Sequence, residues 1–536
     1  MGQRIKFQSI LFIGICALIC ADADAASYEH VSFDDTQRYS RLVIDARLGD
    51  FYANKNPMGF RTFDEDGAVV GGPADGSKVK FDYVPGLVAK ALIEAVDYYQ
   101  SQSWARPWFY SVEWYGNTFV SDVPSTGGSL DDLNATKMYF GLYDLTSEGK
   151  VFENETTASN ACRAMKTALE GLNNHNRRYS ISESTLAEAA GGWFHKKSYV
   201  NQMWLDGQYM GPALLAQLNN YGYHLDDVSN DELIVRQFDI CWNFLWNDED
   251  KLLYHAMTAS PGDSYSRDWQ GVSAAEGIYH SAEYWGRACG WYFLALVDVL
   301  EQLEKSSVTG EEVDDELRKD LRSQLNQLAA GLAARQDAET GCWYQLLAHD
   351  GTFYADSYQG WSYPKTYNYL ESSATCIFTA AYLKGMRLGF FDQDYSELAK
   401  KAYRGIVEQF LVQNVSDPTD VHLIGSCRSA GLGGSSRRDG SAAYYLLGSD
   451  VTVTSIDNPQ TEGKVFGAFI LASTEYERRY LPIASEEGGI EEIHTDNDSK
   501  YPNHTPQNYD LLGRRITDGN QRTFTIQQGR NISVQK

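Results

Sequence analysis

From residue 86 onward, apolar residues recur at intervals of three and four along most of the chain, and short polar or glycine-containing segments separate these stretches. This spacing places the apolar side chains on one face of an α-helix. Alternating apolar and polar positions, which are typical of strands, are scarce between the stretches. The pattern therefore predicts helices at residues 86–99, 135–143, 160–172, 209–219, 232–246, 286–303, 316–335, 371–388, 395–412 and 463–479.

This many helices with short connections can form either an open solenoid or a closed ring of helical hairpins. A solenoid is built from repeats of fixed length, and no strict repeat is present. Clusters of glycine and aromatic residues instead recur at the predicted helix ends, at residues 204–211, 285–291 and 341–344. We therefore predict an all-α protein, a closed (α/α) barrel whose loops meet at one rim.

The first 25 residues have the pattern of a secretory signal. A basic start precedes an apolar run from Phe7 to Cys20, and the small residues Ala23 and Ala25 offer a cleavage site. The apolar run is shorter than the roughly 20 residues of a membrane span, and no later stretch is long and apolar enough to be one. We expect an exported protein without a membrane span.

The C-terminal end also differs from the barrel region. We predict the barrel over residues 26–484, a polar linker over 485–508 and a short β-like tail over 509–536. The tail begins with Tyr-Asp-Leu-Leu-Gly-Arg and resembles the C-terminal sorting tails of exported proteins in Bacteroides-type bacteria. That resemblance implies a periplasmic, cell-surface or extracellular location, and the alternative is a frayed chain end.

Composition excludes some classes of partner and cofactor. The formal net charge of −26 and the absence of a basic stripe argue against nucleic acid. The same charge opposes an anionic sugar unless the pocket supplies local cations. Aromatic residues make up 13% of the chain and suit the apolar faces of sugars, although a large core uses the same residues. The cysteines after the signal are far apart and lack metal-binding spacing, so we expect neither a metal nor a disulfide framework.

Asp206 is the first candidate for chemistry. It lies in the segment 201–210, Asn-Gln-Met-Trp-Leu-Asp-Gly-Gln-Tyr-Met, just before an apolar helical run. An aspartate at a helix start can simply cap the helix. Neighbouring rings would raise the pKa of its carboxyl by excluding water, whereas a helix N-terminus would lower it, and the sequence leaves the balance open. The rings belong to Trp193, Phe194, His195, Trp204 and Tyr209.

Arg287 belongs to a second cluster. It lies four residues before Trp291 and two after Trp285, so on a helix Arg287 and Trp291 share a face. A guanidinium in this position can bind a carboxylate through two parallel hydrogen bonds, beside a ring on which a sugar stacks. A structural arginine paired with an acidic residue is the alternative.

Asp131 and Asp132 form the third cluster, just before the helix predicted from residue 135. Paired acids there suit helix capping and also suit a second catalytic carboxylate. His255 is a further candidate. The glycine-rich stretch 425–434 lacks the Gly-Lys-Ser/Thr ending of a phosphate loop, so we interpret it as a tight loop at the barrel rim.

An ordered set of segments resembles the unsaturated rhamnogalacturonyl and glucuronyl hydrolases of glycoside hydrolase family 105 and its relative, family 88. The resemblance covers about residues 83–481. It implies a six-hairpin (α/α)6 barrel that acts on a sugar with a C4=C5 double bond, by protonation at C4 and addition of water at C5, without metal or cofactor. The segments are Leu-Asp-Asp-Leu-Asn at 130–134, Gln-Met-Trp-Leu-Asp-Gly-Gln-Tyr-Met-Gly at 202–211, Tyr-Trp-Gly-Arg at 284–287 with Gly-Trp at 290–291, Gly-Cys-Trp-Tyr-Gln at 341–345, Tyr-Leu-Glu-Ser-Ser at 369–373, Gly-Leu-Gly-Gly at 431–434 and Arg-Asp-Gly at 438–440.

Matched position by position, the resemblance implies that Asp206 is the acid/base residue and that Asp131 is the supporting carboxylate, with Asp132 competing for that role. It implies a substrate pocket lined by Trp204, His195, Trp285, Arg287 and Trp291, with His255 and Tyr83 matched less closely. The chain departs from the family pattern at Lys196-Lys197 and in inserts at 173–185 and 260–277. These departures bear on the subsites for the released sugar.

The sequence thus predicts an exported enzyme that removes a 4,5-unsaturated uronic acid from oligosaccharides of pectin or rhamnogalacturonan type. Two alternatives use the same barrel. One is a sugar-binding protein without catalysis, against which the presence of both Asp206 and Asp131 argues. The other is a conventional glycosidase of α-mannanase type, in which Asp131 and Asp132 would form the catalytic pair.

Overall fold

A computed structural model describes residues 26–49, 59–72, 80–225, 229–308, 315–434, 438–459 and 462–483. Helices dominate these residues. The α-helices are α1 Tyr39–Arg47, α2 Tyr83–Tyr99, α3 Arg106–Phe119, α4 Leu130–Asn134, α5 Met138–Thr146, α6 Glu155–Arg178, α7 Leu205–Met210, α8 Pro212–Asn220, α9 Asn230–Leu245, α10 Gly286–Val308, α11 Asp315–Ala333, α12 Ser372–Arg387, α13 Ser396–Phe410, α14 Ala442–Leu447 and α15 Glu462–Tyr480.

Short strands connect the helices in small antiparallel sheets. They are β1 Tyr28–His30, β2 Thr62–Phe63, β3 Val69–Gly71, β4 Gln202–Trp204, β5 Trp246–Asn247, β6 Leu252–Leu253, β7 Ala256–Thr258, β8 Tyr354–Tyr358, β9 Trp361–Tyr367, β10 Leu411–Asn414 and β11 Asp417–Leu423. β1, β10 and β11 form one three-stranded sheet, and the pairs β2–β3, β4–β7, β5–β6 and β8–β9 form the others. Two pairs, β4–β7 and β8–β9, bear on function.

The helices form two concentric rings. The inner ring runs from α2 through α4 and α5, α7 and α8, α10 and α12 to α15, which packs against α2 and closes the ring. The helices α3, α6, α9, α11 and α13 lie outside, each against an inner helix, and α1 packs against α15. The protein is a six-hairpin (α/α)6 barrel, as the sequence predicts.

Burial distinguishes the two rings. In the inner helix α12, every residue from Ser372 to Gly385 is buried. In the outer helix α13, burial follows a stripe at intervals of three and four residues, from Ala399 to Phe410. A helix that is covered on all sides needs no polar face, whereas a surface helix is amphipathic.

One close approach between inner helices requires glycine. A Cβ atom at Gly86 in α2 would overlap Ala135, which directly follows α4. Glycine therefore lets α2 lie against the segment that carries Asp131, and this contact brings the start of α2 close to the candidate site.

Several sequence predictions concern residues outside this description. The signal at 1–25, the linker at 485–508 and the tail at 509–536 all lie outside the described residues. Within the described part of the chain, none of the helices combines the length and the apolarity needed to cross a membrane. The cysteines there are free thiols; Cys162 is partly buried and Cys241, Cys289, Cys342, Cys376 and Cys427 are buried.

Candidate active site

A short antiparallel strand pair brings Asp206 beside His255. β4 pairs with β7 so that Trp204 lies opposite Ala256. The pairing continues one step further, because the backbone N–H of Leu205 donates to the carbonyl of His255 at 3.1 Å. Two segments that are 50 residues apart in the chain therefore present an aspartate and a histidine to the same space.

Asp206 does not cap its helix. α7 begins at Leu205 and its N-cap residue is Trp204, so Asp206 is the second helical residue. Its side chain is 14% exposed, and His255 Nε2 lies 3.5 Å from its Oδ2. Neither of these two atoms has a hydrogen-bond partner among the described residues. This carboxylate oxygen is therefore available to a ligand.

The pKa of Asp206 follows from two opposing effects. Burial alone would raise it, but the contact with His255 and the electrostatic influence of His255 and His195 outweigh burial and lower the pKa below its ordinary value. The sequence leaves this balance open, and the structure resolves it through a histidine rather than through the helix N-terminus. Asp206 is therefore ionised at neutral pH.

His255 is held by Tyr445. The imidazole is fully buried, and its Nδ1 lies 2.6 Å from the Tyr445 hydroxyl. Burial raises the pKa of Tyr445 well above its usual range, so its hydroxyl keeps its proton and can donate it to Nδ1. Burial also lowers the pKa of His255, which favours the neutral ring. With Nδ1 accepting, the proton of the neutral ring is on Nε2 and is directed at Asp206.

We expect Tyr445→Phe to lower kcat about tenfold, because His255 loses the hydrogen bond that sets its tautomer. The direct measurement is the ¹⁵N chemical shift of the His255 ring nitrogens, which should change from the Nε2-protonated form to a mixture. Tyr444→Phe is a matched control, since the Tyr444 hydroxyl contacts Gly431 and Asp450 rather than His255. An unchanged ¹⁵N spectrum in Tyr445→Phe would contradict the assignment.

Asp131 is the centre of an ionic cluster. His195 Nε2 lies 3.0 Å from Oδ1 and Lys196 Nζ lies 2.6 Å from Oδ2. The backbone brings these groups together, because Leu130 N–H donates to the carbonyl of His195 and Ser129 forms a β-bridge with Lys196. Burial alone would raise the pKa of Asp131, but the charges of His195 and Lys196 hold it well below its usual range.

Asp132 does not share this environment. Its side chain is exposed at the surface. Partial loss of hydration, together with the negative charge of the neighbouring Asp131, raises the pKa of its carboxyl. Neither aspartate is the N-cap of α4, because that position belongs to Ser129. The structure thus places Asp131 in the site and leaves Asp132 at its outer edge.

His195 connects the two aspartates. While its Nε2 contacts Asp131, its ring stacks on Trp204 with centroids 5.3 Å apart. The ring also lies against α7, since a Cβ atom at Gly207 would be 3.2 Å from His195 Nδ1. Glycine next to Asp206 therefore leaves the room that the imidazole occupies.

Aromatic rings line the space around Asp206. Trp204 meets His255 edge-on at 4.9 Å, and His255 lies 4.8 Å from Trp285. On its other side Trp204 stacks on Tyr199 at 4.6 Å. Trp269, from the insert at 260–277, packs into the same cluster. This insert, which departs from the family pattern, therefore forms part of the wall behind Trp204.

The glycine-rich stretch 425–434 closes the same wall. Leu432 is buried with Trp204 and Trp269. At the end of this stretch, Gly433 N–H donates to the carbonyl of Arg438 at 2.7 Å.

Arg287 has the structural contacts that the sequence offers as an alternative, and its binding of a carboxylate stays a prediction. It is buried, its Nη1 donates to the carbonyl of Cys427 at 2.5 Å and to Ser373 Oγ at 3.2 Å, and Glu371 lies 3.8 Å away. The guanidinium also lies over the ring of Trp285, at 4.6 Å from its centroid. Its Nε and Nη2 have no hydrogen-bond partner among the described residues, so these two donors are available to a carboxylate.

The two remaining predicted residues lie at the edges of the site. Tyr83 is partly buried, and its phenol interacts electrostatically with Arg287, Asp131 and Asp206; burial is the main reason that its pKa is raised. Trp291 is buried and stacks on Tyr209 of α7, with centroids 4.6 Å apart. Trp291 therefore supports the helix that carries Asp206.

Three residues of the site are absent from the sequence-based prediction: Lys196, Tyr445 and Lys464. Lys464 lies 5.7 Å from the Tyr83 ring, and burial together with Arg287 lowers its pKa to about 7. Lys196 could have been recognised, because it follows His195 directly and adds a cation to an acidic protein. A buried tyrosine such as Tyr445 gives no signal in the sequence that separates it from a tyrosine of the core.

Within the described residues, no group of three or more His, Cys, Asp or Glu side chains is placed to hold a metal ion.

Comparison with known proteins identifies the family of the chain. The sequence profile of Glycosyl Hydrolase Family 88 matches residues 71–480. A curated protein of Agrobacterium fabrum, Protein Atu3128, is 33% identical over 201 residues, which are 36% of this chain and 76% of that protein. Both matches are similarities of sequence.

Two solved structures extend the similarity to the fold. A glycoside hydrolase from family 105 of Clostridium acetobutylicum is 25% identical with a TM-score of 0.58, over 82% of this chain and 100% of the other. A possible member of the same family from Klebsiella pneumoniae is 20% identical with a TM-score of 0.56, over 84% of this chain and 94% of the other. Since the family profile covers most of the chain, the protein is a glycoside hydrolase and belongs to glycosyl hydrolase family 88.

Proposed function

We propose that this glycoside hydrolase removes a 4,5-unsaturated uronic acid from the non-reducing end of oligosaccharides, by hydration of the C4=C5 double bond. The observation that carries the proposal is that Asp206 is a single available carboxylate, without a second free carboxylate beside it among the described residues of the site. It is a carboxylate with an unpartnered oxygen in an aromatic site, and its neighbour Asp131 is already bound by Lys196 and His195. Hydration needs one carboxyl that first donates and then accepts a proton.

Asp206 alone can perform both proton transfers of the reaction. Its protonated carboxyl donates a proton to C4, and the oxygen of a water molecule bonds to C5 while the carboxylate takes the proton that this water loses. The carboxyl is thereby restored. The product is a hemiketal at C5, which opens and releases the neighbouring sugar.

A conventional glycosidase fits the site less well. That chemistry uses two carboxyl groups on opposite sides of the scissile bond. Asp131 is bound by Lys196 and His195, and Asp132 is exposed. Neither is free to act as a partner to Asp206 within the pocket.

The site also meets the electrostatic requirement of an anionic sugar. Although the chain carries a formal charge of −26, Lys196, Arg287 and Lys464 lie around Tyr83 and Asp131. A substrate carboxylate bound here would oppose ionisation of Asp206 and would exclude water from it, and both effects raise its pKa. Binding of the substrate would thus supply the protonated acid that the empty site lacks.

We also propose that the enzyme is exported and acts on pectin or rhamnogalacturonan fragments. The amino-terminal signal pattern and the resemblance to rhamnogalacturonyl hydrolases support this. Fractionation of the producing cells, with detection of the mature protein outside the cytoplasm, tests the location.

The activity is tested with unsaturated disaccharides from pectin, rhamnogalacturonan, ulvan and glycosaminoglycan lyase digests. We expect the ultraviolet absorbance of the conjugated double bond to disappear as the neighbouring sugar is released, and expect the pectin-type products to react fastest. Saturated disaccharides of the same sugars are the matched control. Hydrolysis of the saturated compounds without loss of absorbance from the unsaturated ones would establish a conventional glycosidase instead.

A further inference from the structure

The hairpin formed by β8 and β9 carries an unusual surface. Five aromatic side chains of the described residues are exposed, and four of them lie on this hairpin: Tyr354 at 39%, Trp361 at 70%, Tyr363 at 39% and Tyr367 at 50%. Scattered apolar side chains on a protein surface need no explanation, but a contiguous group marks a binding surface. We call these four residues the aromatic hairpin surface.

The hairpin is built to hold its rings in place. Its turn consists of Gln359 and Gly360, both with positive φ, which is the tight two-residue turn that matches the twist of paired strands. Tyr354 and Tyr367 lie opposite each other across the strands, with ring centroids 5.5 Å apart. Lys365 Nζ lies 4.0 Å from the centroid of Tyr354. Aromatic and cationic groups are thus arranged together before any ligand binds.

Buried residues fasten the base of the hairpin to the edge of the active site. Asn368, which directly follows β9, is buried and donates to the carbonyls of Leu346 and His349 at 3.0 and 2.8 Å. Leu346 in turn forms a β-bridge with Trp285, a wall of the site. The hairpin therefore begins where the aromatic wall around Asp206 ends.

A second set of contacts leads to the same place. The hairpin packs against α14, where Tyr358 lies 6.2 Å from Tyr444. The next residue, Tyr445, holds His255 beside Asp206. The hairpin is therefore attached through Tyr358 to the element that supports the catalytic site, and the rings of the aromatic hairpin surface stay exposed.

On this evidence we propose that the aromatic hairpin surface binds the anionic sugar chain that extends from the cleaved bond toward the reducing end. Rings with one polar edge suit the apolar faces of successive sugars, and Lys365 offers a cation to their carboxylates in a protein of strongly negative charge. The surface continues from the walls of the active site, so one chain can occupy both. This inference rests on the proposed function, because it assumes that the substrate is a uronate oligosaccharide.

A second copy of the protein is a less suitable occupant. Stable interfaces use roughly 20–30 residues on each side. The hairpin extends only from Tyr354 to Tyr367, which is fewer residues than such an interface uses. A narrow ridge of rings matches a single extended chain better than a flat protein surface.

The test compares two substrates of different length, an unsaturated disaccharide and an unsaturated hexasaccharide from the same pectin lyase digest. In the double variant Trp361→Ala/Tyr367→Ala we expect KM for the hexasaccharide to rise about tenfold with kcat unchanged, because stacking is lost only beyond the first sugars. Both constants for the disaccharide should stay at the wild-type value. The matched control is Val69→Ala/Val70→Ala, which shortens two exposed side chains on a different hairpin, β2–β3.

Each outcome decides between explanations. Equal changes for both substrates, or no change for either, would overturn the inference while wild-type turnover upholds the proposed function. A wild-type dimer that becomes monomeric in the double variant, observed by sedimentation, would assign the surface to a second copy. If the wild type converts neither substrate, the proposed function fails. Calorimetric binding of a saturated hexasaccharide to the wild type and to the double variant then still tests the aromatic hairpin surface. Equal affinities of the two proteins would overturn the inference.

Discussion

Replacing Asp206 with asparagine is expected to lower kcat for an unsaturated uronyl disaccharide by at least about a thousandfold. The amide can neither donate a proton to C4 nor take one from the attacking water, and each such transfer contributes roughly 10²–10⁴-fold to a rate. Asp131 does not replace it, because its carboxylate is held by His195 and Lys196. The measurement is the rate at which the ultraviolet absorbance of the double bond is lost.

The same variant should keep its fold and its affinity for the substrate. Asparagine has nearly the shape of aspartate, and its amide oxygen can keep the 3.5 Å contact that Oδ2 of Asp206 makes with His255 Nε2. We therefore expect the thermal midpoint and the calorimetric affinity for the disaccharide to stay close to those of the wild type. Near-normal turnover by Asp206→Asn would remove Asp206 from the chemistry and would favour another carboxyl.

The fold follows from the sequence where helices are amphipathic. The stripe on α13 repeats every three to four residues, and the structure confirms all ten predicted helices with shifted ends. The pattern misses α1, α3 and the short helices α4 and α14. α3 begins at Arg106-Pro107 and carries aromatic residues on more than one side, with Trp108 and Tyr115 buried and Tyr110 and Trp114 partly buried, so a single apolar face is hard to recognise.

The candidate site is predicted less completely, because its contacts come from distant parts of the chain. Asp206 and Asp131 lie in segments that the resemblance covers. The hydroxyl that orients His255 belongs to Tyr445, which is 190 residues away in the chain, and no sequence spacing predicts that contact. The sequence does not predict the aromatic hairpin surface for a related reason. Whether the rings of β8 and β9 are exposed depends on how the two strands pair, and the sequence does not give that pairing.

The helix-capping alternatives illustrate the same limit. An aspartate close to a helix start satisfies the capping pattern equally well whether or not its carboxyl reaches the backbone. In the structure, Trp204 and Ser129 are the N-cap residues, and the carboxyls of Asp206 and Asp131 point to histidines instead. A shift of one or two residues in the helix start decides the role, and sequence patterns do not resolve helix ends that finely.

The second large effect is expected for Asp131→Asn, which should lower kcat/KM about a hundredfold. The amide keeps the shape of the side chain but removes the charge that holds His195 and Lys196 in position. Residues that orient a catalytic group typically contribute about 10–100-fold. Asp132→Asn is the matched control, because it makes the same chemical change on the exposed neighbour and should leave kcat/KM within about twofold of the wild type.

The stability of Asp131→Asn should depend on pH in a defined direction. The pKa of Asp131 is lowered in the folded protein, so its stabilising effect is complete above the ordinary aspartate pKa of about 3.9 and is lost as the pH falls through the folded-state value. Denaturant unfolding should therefore show the wild type more stable than Asp131→Asn by about 1–3 kcal/mol at neutral pH, with the gap narrowing below about pH 4. A gap that stays constant down to the most acidic pH, or one that Asp132→Asn reproduces, would show that Asp131 is not the charged partner of Lys196 and His195.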